Sequence, residues 1–178
     1  MSRVLCGAAA AALMTASLAF AQSPAHAQAF EDGTPVVLTE HEQSLSGYPG
    51  HTLERHVAWS VADLVNRCAT QTIRNASTFY NEGDANYYVN QVIYKESTKL
   101  KASISNNVRG VVRVPGLKWG YWWSSTGQIV NCKTSEALYA RGVQVILDPL
   151  ANAPGGWFVL TAYPMDPGLA IDEGAVYD

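Results

Sequence analysis

The chain has 178 residues, 48% of them hydrophobic and 15% charged, and a formal net charge of −3. Once an N-terminal leader is set aside, about 150 residues remain, which suffices for one domain with its own core and excludes two comfortable ones. The slightly acidic total argues at first against a polyanionic ligand, and the few histidines and cysteines argue against a metal cluster.

Along the chain, Arg3 supplies a positive start, Val4 to Phe20 is an apolar run, and small-x-small sites follow at Ala19-Phe20-Ala21 and Ala25-His26-Ala27. Residues 1–27 therefore read as a cleaved signal peptide rather than a membrane anchor, and the mature protein is expected to be secreted or periplasmic. Residues 28–46 show little periodicity and read as a flexible lead-in to a domain over 47–178. Ser60-Val61-Ala62-Asp63 has capping-box character, and Val61, Leu64, Val65 and Cys68 follow at helical spacing, with Arg67 beside them. Asn81-Glu82-Gly83-Asp84 opens a second helix, whose stripe is Ala85, Tyr88, Val89, Val92, Ile93 and Leu100.

After Asn106-Asn107 the pattern becomes extended. Strands are predicted over 108–114, 118–123 and 128–132, and residues 142–148 and 157–163 read as a closing antiparallel pair joined through Asn152-Ala153-Pro154-Gly155-Gly156. Helices first and strands afterwards imply an α+β domain. In the last strand the pleat sends Phe158, Leu160 and Ala162 to the core. Trp157, Val159, Thr161 and Tyr163 take the other face, with the Thr161 and Tyr163 Cα atoms about 7 Å apart.

Removing the leader leaves Cys68 and Cys132, an even pair in an oxidising compartment. A disulfide is expected, two buried free thiols being the alternative. Charge is distributed unevenly: the eleven Lys and Arg outside the leader lie between Arg55 and Arg141, against five acids there, a net of +6. The densest part, including Lys95, Lys99, Arg109 and Arg113, suits a phosphate backbone, although an ordinary solvated helix and strand would look the same. His51 and His56 diverge by about 140° on a helix, so they do not form the i,i+4 zinc pair. Trp119, Tyr121, Trp122 and Trp123 suit either packing or base stacking.

The block Gly50-His51-Thr52-Leu53-Glu54-Arg55-His56-Val57, then Arg67, Ala76-Ser77-Thr78-Phe79 and Thr161-Ala162-Tyr163-Pro164, resembles the RNase A-like toxin domain at the C-terminus of bacterial contact-dependent growth-inhibition proteins (CdiA). The similarity spans roughly residues 47–166; the Trp/Tyr-rich segment 117–139 and Cys132 depart from the pattern. The resemblance implies short N-terminal helices followed by a curved antiparallel sheet like that of pancreatic-type ribonucleases. It implies RNA cleavage by His56, Arg67, Thr161 and Tyr163, with His51 in a structural or substrate-orienting role.

A histidine near neutral pKa, an arginine and two hydroxyls can transfer protons and hold a phosphorane without a metal or other cofactor. The expected reaction is attack of the RNA 2′-OH to give a 2′,3′-cyclic phosphate, by a monomer with RNA as substrate and a cognate immunity protein as a second partner. Two other readings remain: an exported binding module that uses the Trp-rich hairpin, and a toxin acting on a nucleotide such as NAD.

Overall fold

The computed structural model describes residues 35–115 and 125–166, so the leader, Lys118 and the Trp119–Trp123 segment lie outside it. The elements run α1 (Gln43–Ser46), α2 (Thr52–His56), α3 (Val61–Thr70), β1 (Asn75–Thr78), α4 (Glu82–Lys95), α5 (Ser97–Ser105), β2 (Gly110–Pro115), β3 (Gly127–Asn131), β4 (Glu136–Ala140), β5 (Gly142–Pro149) and β6 (Trp157–Met165). This is the α+β class implied by the sequence. The strands divide into two antiparallel three-stranded sheets, β1–β3–β4 and β2–β5–β6, rather than one. Among the described residues no helix is long and apolar enough to cross a membrane.

The main core lies between α4, α5 and one face of β2–β5–β6. Ala85, Val89, Val92, Ile93 and Leu100 meet Val112, Val114, Val143, Val145, Leu147 and Ala162 there. Each fully buried Val, Leu or Ile side chain contributes about 1.5–3 kcal/mol, and alternation in β2 and β5 leaves Arg113 and Gln144 on the opposite face. The single predicted stripe from Ala85 to Leu100 is divided at Glu96, whose φ of −105° and ψ of 17° end α4 and open α5.

Helix α3 starts with the predicted capping box. The Asp63 N–H donates to Ser60 Oγ at 3.2 Å and the Ser60 N–H donates to Asp63 Oδ2 at 3.0 Å. Leu64 packs the helix onto Ala76 of β1 and Val130 of β3. Cys68 and Cys132 are paired in the structure across a sequence separation of 64.

Two expectations need correction. Residues 36–46 are not a flexible lead-in: Val36 and Leu38 belong to the main core, and His41 and Glu42 are buried. Helix α4 holds this segment by side-chain amides. The Leu38 N–H donates to Asn86 Oδ1 at 2.9 Å, the Val36 N–H donates to Asn90 Oδ1, and Asn90 Nδ2 donates to the Val36 carbonyl. Such binding leaves no hydrophobic period.

The second correction is the facing of β6. Ile146 pairs with Thr161 while Leu147 pairs with Val159, so Leu160 is an extra residue in a β-bulge. The bulge reverses the alternation. Trp157 and Val159 join Ala162 in the main core, whereas Phe158 and Leu160 pack with Ile146 on the other side. Thr161 and Tyr163 keep that second side through their partners Ile146 and Gln144.

Candidate active site

The segment from Gly50 to His56 is laid along the free edge of β6. The His51 N–H donates to the Leu160 carbonyl at 3.0 Å, the Ala162 N–H donates to Thr52 Oγ1 at 2.9 Å, and the Val159 N–H donates to His41 Nδ1 at 3.2 Å. These bonds occupy backbone groups that an edge strand would otherwise leave open. Gly50 permits the close approach, because a Cβ there would collide with the His41 and Val159 carbonyl oxygens.

Five residues are too few for a helix to persist alone. The buried Glu42 carboxylate supports α2 by accepting the Leu53 N–H at 2.8 Å and the Glu54 N–H at 3.4 Å. Burial raises the Glu42 pKa, against the opposing pull of those backbone N–H groups. Nothing in the sequence reading drew attention to Glu42, since its partners are backbone groups about ten residues away.

At the other end of α2 the chain docks on β1. The Phe79 N–H donates to the His56 carbonyl at 2.8 Å, and Val57 forms a parallel bridge with Phe79. His56 Nδ1 lies 3.1 Å from the Ser77 carbonyl. A carbonyl only accepts, so Nδ1 carries the proton and Nε2 of the neutral ring holds the lone pair. The His56 ring lies 5.2 Å from that of Tyr163, tilted by 34°.

The His56 pKa is pushed down to about 3, first by burial, then by Arg67, with smaller contributions from His51 and Arg55 and an opposing one from the Ser77 carbonyl. The residue as a whole nevertheless keeps partial solvent exposure. Around neutral pH the imidazole is therefore uncharged and able to accept a proton.

Arg67 reaches from α3 to the end of α2, donating from Nη1 to the Arg55 carbonyl at 2.8 Å and from Nε to Gln71 Oε1 at 2.9 Å. Its guanidinium stands 5.8 Å from the Trp59 ring centroid. Two of its five N–H groups are engaged in these bonds, which fix the fork while leaving donors for an anion. Burial and Arg55 lower its pKa, and burial followed by Arg55 lowers that of His51. Burial, reinforced by the neighbouring arginines, thus disfavours charge on His51, His56 and Arg67, a penalty that a bound anion would relieve.

Thr161 is 1% exposed, and its hydroxyl makes no hydrogen bond among the described residues. It lies two residues from Tyr163 on β6, beside the docked α2 segment. The structure brings His51, His56 and Arg67 together and sets the His56 ring against Tyr163, with Thr161 buried two residues away on β6.

The four cationic substrate-binding candidates divide. Arg113 is opposite Gln144, which is opposite Tyr163, and Arg113 Nε donates to Gln144 Oε1 at 2.5 Å; this row shares the Tyr163 face. Arg109 is instead committed to a bidentate pair with Asp148, at 2.5 and 2.7 Å. Lys95 and Lys99 are exposed on α4 and α5, which cover the other face of the sheet, and Lys99 lies 3.8 Å from Glu96. They do not join the site, because the alternation that buries Val112 and Val145 beneath these helices turns Tyr163 away. Among the described residues no group of three or more His, Cys, Asp or Glu is arranged to hold a metal.

Residues 50–164 match the family described as the bacterial CdiA-CT RNAse A domain. Among solved structures, a CdiA-CT/CdiI complex from Y. kristensenii 33638 contains a chain of similar fold, with a TM-score of 0.57 and 21% identity, covering 65% of this chain and 99% of that one. No curated protein matches the sequence.

Proposed function

The chain belongs to the bacterial CdiA-CT RNAse A domain family, and from that premise we propose that it is an exported, metal-independent endoribonuclease and toxin. The observation that carries this reading is the neutral His56 imidazole, its Nδ1–H engaged by Ser77, facing Tyr163 within a cluster of two arginines and a second histidine.

RNA brings its own nucleophile. His56 Nε2 takes the proton from the 2′-OH as its oxygen attacks phosphorus, and the bond to the 5′-oxygen breaks to leave a 2′,3′-cyclic phosphate. Arg67 holds the non-bridging oxygens, where its planar fork matches the charge that builds in the phosphorane. Tyr163 donates a proton toward the departing 5′-oxygen, and Thr161 donates a hydrogen bond to the phosphate. A phenol is a weaker general acid than an imidazolium, so turnover is slower than in a nuclease with two catalytic histidines.

The incoming phosphate also cancels part of the field that depresses His56, so the base strengthens as substrate binds. His51 and Arg113 extend the binding surface, while Lys95 and Lys99 contribute only long-range attraction. The protein acts as a monomer outside the cytoplasm of the producing cell. Its second partner is an acidic immunity protein that covers the cationic cluster.

Cleavage of RNA by the wild type and by His56→Ala, with and without a chelator, tests the proposal. RNA should be cut to cyclic-phosphate ends with or without chelator, and a substrate lacking the 2′-OH at the scissile position should survive. Undiminished cleavage by His56→Ala, or cleavage of the 2′-deoxy substrate, refutes it.

A further inference from the structure

Away from the catalytic cluster, the Cys68–Cys132 pair opens onto a cleft of about 470 Å³ lined also by Arg74, Asn75, Asn131 and Lys133. Both cysteines are partly exposed, and Arg74 and Lys133 are exposed basic residues. The pair packs on the Leu64, Ala76 and Val130 cluster on one side and borders the cleft on the other, beside two cationic side chains that raise the local concentration of an anionic reagent. Asn75 pairs with Asn131 across β1 and β3, and the Cys132 N–H donates to the Arg74 carbonyl at 2.8 Å, so the floor of the cleft is built of sheet.

Cys68 directly follows Arg67 in α3. The bond to Cys132 ties this end of the helix to the end of β3, across a separation of 64 residues. Beyond Cys68 the helix ends within three residues, where the Gln71 N–H donates to the Arg67 carbonyl at 2.9 Å and the Gln71 side chain receives Arg67 Nε. The start of α3 is held separately by its capping box and by Leu64. Loss of the cross-link therefore falls on the turn that aims Arg67.

We propose that this cleft is a reduction site for an anionic low-molecular-weight thiol of the glutathione class, and that reduction loosens the α3 turn holding Arg67. The thiolate attacks one sulfur of the pair, forming a mixed disulfide and releasing the other sulfur as a thiolate. A second thiol molecule resolves the mixed disulfide, so two thiols are oxidised to one disulfide as the protein gains two electrons and two protons. The consequence for catalysis rests on the ribonuclease reading; the reduction and the loosening do not.

The oxidised full chain is treated with glutathione or with uncharged 2-mercaptoethanol, and free thiols are trapped by alkylation and counted by mass. Arg74→Gln/Lys133→Gln should slow reduction by glutathione about five- to tenfold and leave the neutral thiol unaffected. Equal slowing of both thiols, or of neither, overturns the docking site.

Hydrogen exchange of the reduced chain should accelerate at least about tenfold at Gln71 while α4 amides keep their protection. Unchanged exchange at Gln71, or acceleration throughout α4, overturns the local clamp. RNA cleavage measured on the same samples should fall with the fraction reduced. Full activity in a reduced chain whose Gln71 amide has loosened overturns the link to Arg67, whereas an oxidised chain that never cuts RNA overturns the ribonuclease reading alone.

Discussion

The His56 pKa is the most exposed quantity in the mechanism, and it can be followed without any turnover. An imidazole pushed down to about 3 is protonated only about 1% of the time at pH 5, whereas one at the reference value near 6.5 would be about 97% protonated. Bound phosphate should reverse part of this depression. One negative charge about 5 Å away, at an effective dielectric of about 20, is worth ~3 kcal/mol, or roughly two pKa units, which places the bound-state midpoint near 5. The assay is NMR titration of the His56 ring nitrogens, in the free protein and with a 2′-deoxy oligonucleotide that binds and cannot be cut. The same shift should appear in kinetics, the acidic limb of kcat/KM lying below that of kcat. A free-state midpoint at or above 6, or a midpoint unmoved by the oligonucleotide, refutes the proposed coupling between the cation cluster and the base.

Three other substitutions or conditions probe the neighbouring groups. Thr161→Val removes a buried hydroxyl without a hydrogen-bond partner among the described residues, so stability should change by less than about 0.5 kcal/mol while RNA cleavage falls about tenfold or more; a large loss of stability with full activity would make the hydroxyl structural. Glu42→Gln weakens the cap on α2 and should cost about 1–2 kcal/mol in urea unfolding together with a slower kcat, and an unchanged unfolding midpoint contradicts the capping role. Because the folded pKa of His56 lies below its unfolded value near 6.5, its contribution to stability is complete above pH 6.5 and is lost as pH falls toward 3. Between pH 7 and 4.5 the wild type should therefore lose up to about 2–3 kcal/mol more than His56→Gln, and parallel unfolding curves for the two proteins would contradict this.

The cation cluster also gives a physical reason for the arrangement of α2 and α3. Burying His51, His56 and Arg67 beside Arg55 is unfavourable in the free protein, first through desolvation and then through the neighbouring positive charges, as their lowered pKa values express. Backbone and cap bonds hold them there: the Arg55 carbonyl accepts from Arg67, and the Ser77 carbonyl holds the His56 ring. An anion that enters meets donors already oriented, and its own charge relieves the repulsion.

Local pattern carried the α+β class, the capped start of α3, the apolar stripe of α4 and the closing β5–β6 pair, because each is written in neighbouring residues at helical or strand period. The resemblance of the Gly50–Val57 and Thr161–Pro164 blocks singled out His56 and Tyr163, whose rings the fold places 5.2 Å apart. Tertiary structure alone decided the rest. The bulge at Leu160 reversed the facing of Trp157 to Leu160, the amides of Asn86 and Asn90 drew residues 36–38 into the domain, and Glu42 capped a helix ten residues away. It also separated Arg113, on the Tyr163 face, from Lys95 and Lys99 on the far helices. These outcomes depend on backbone groups and on which face of a sheet a helix covers. Neither is encoded in residue type or spacing, so both became visible only once the chain was folded.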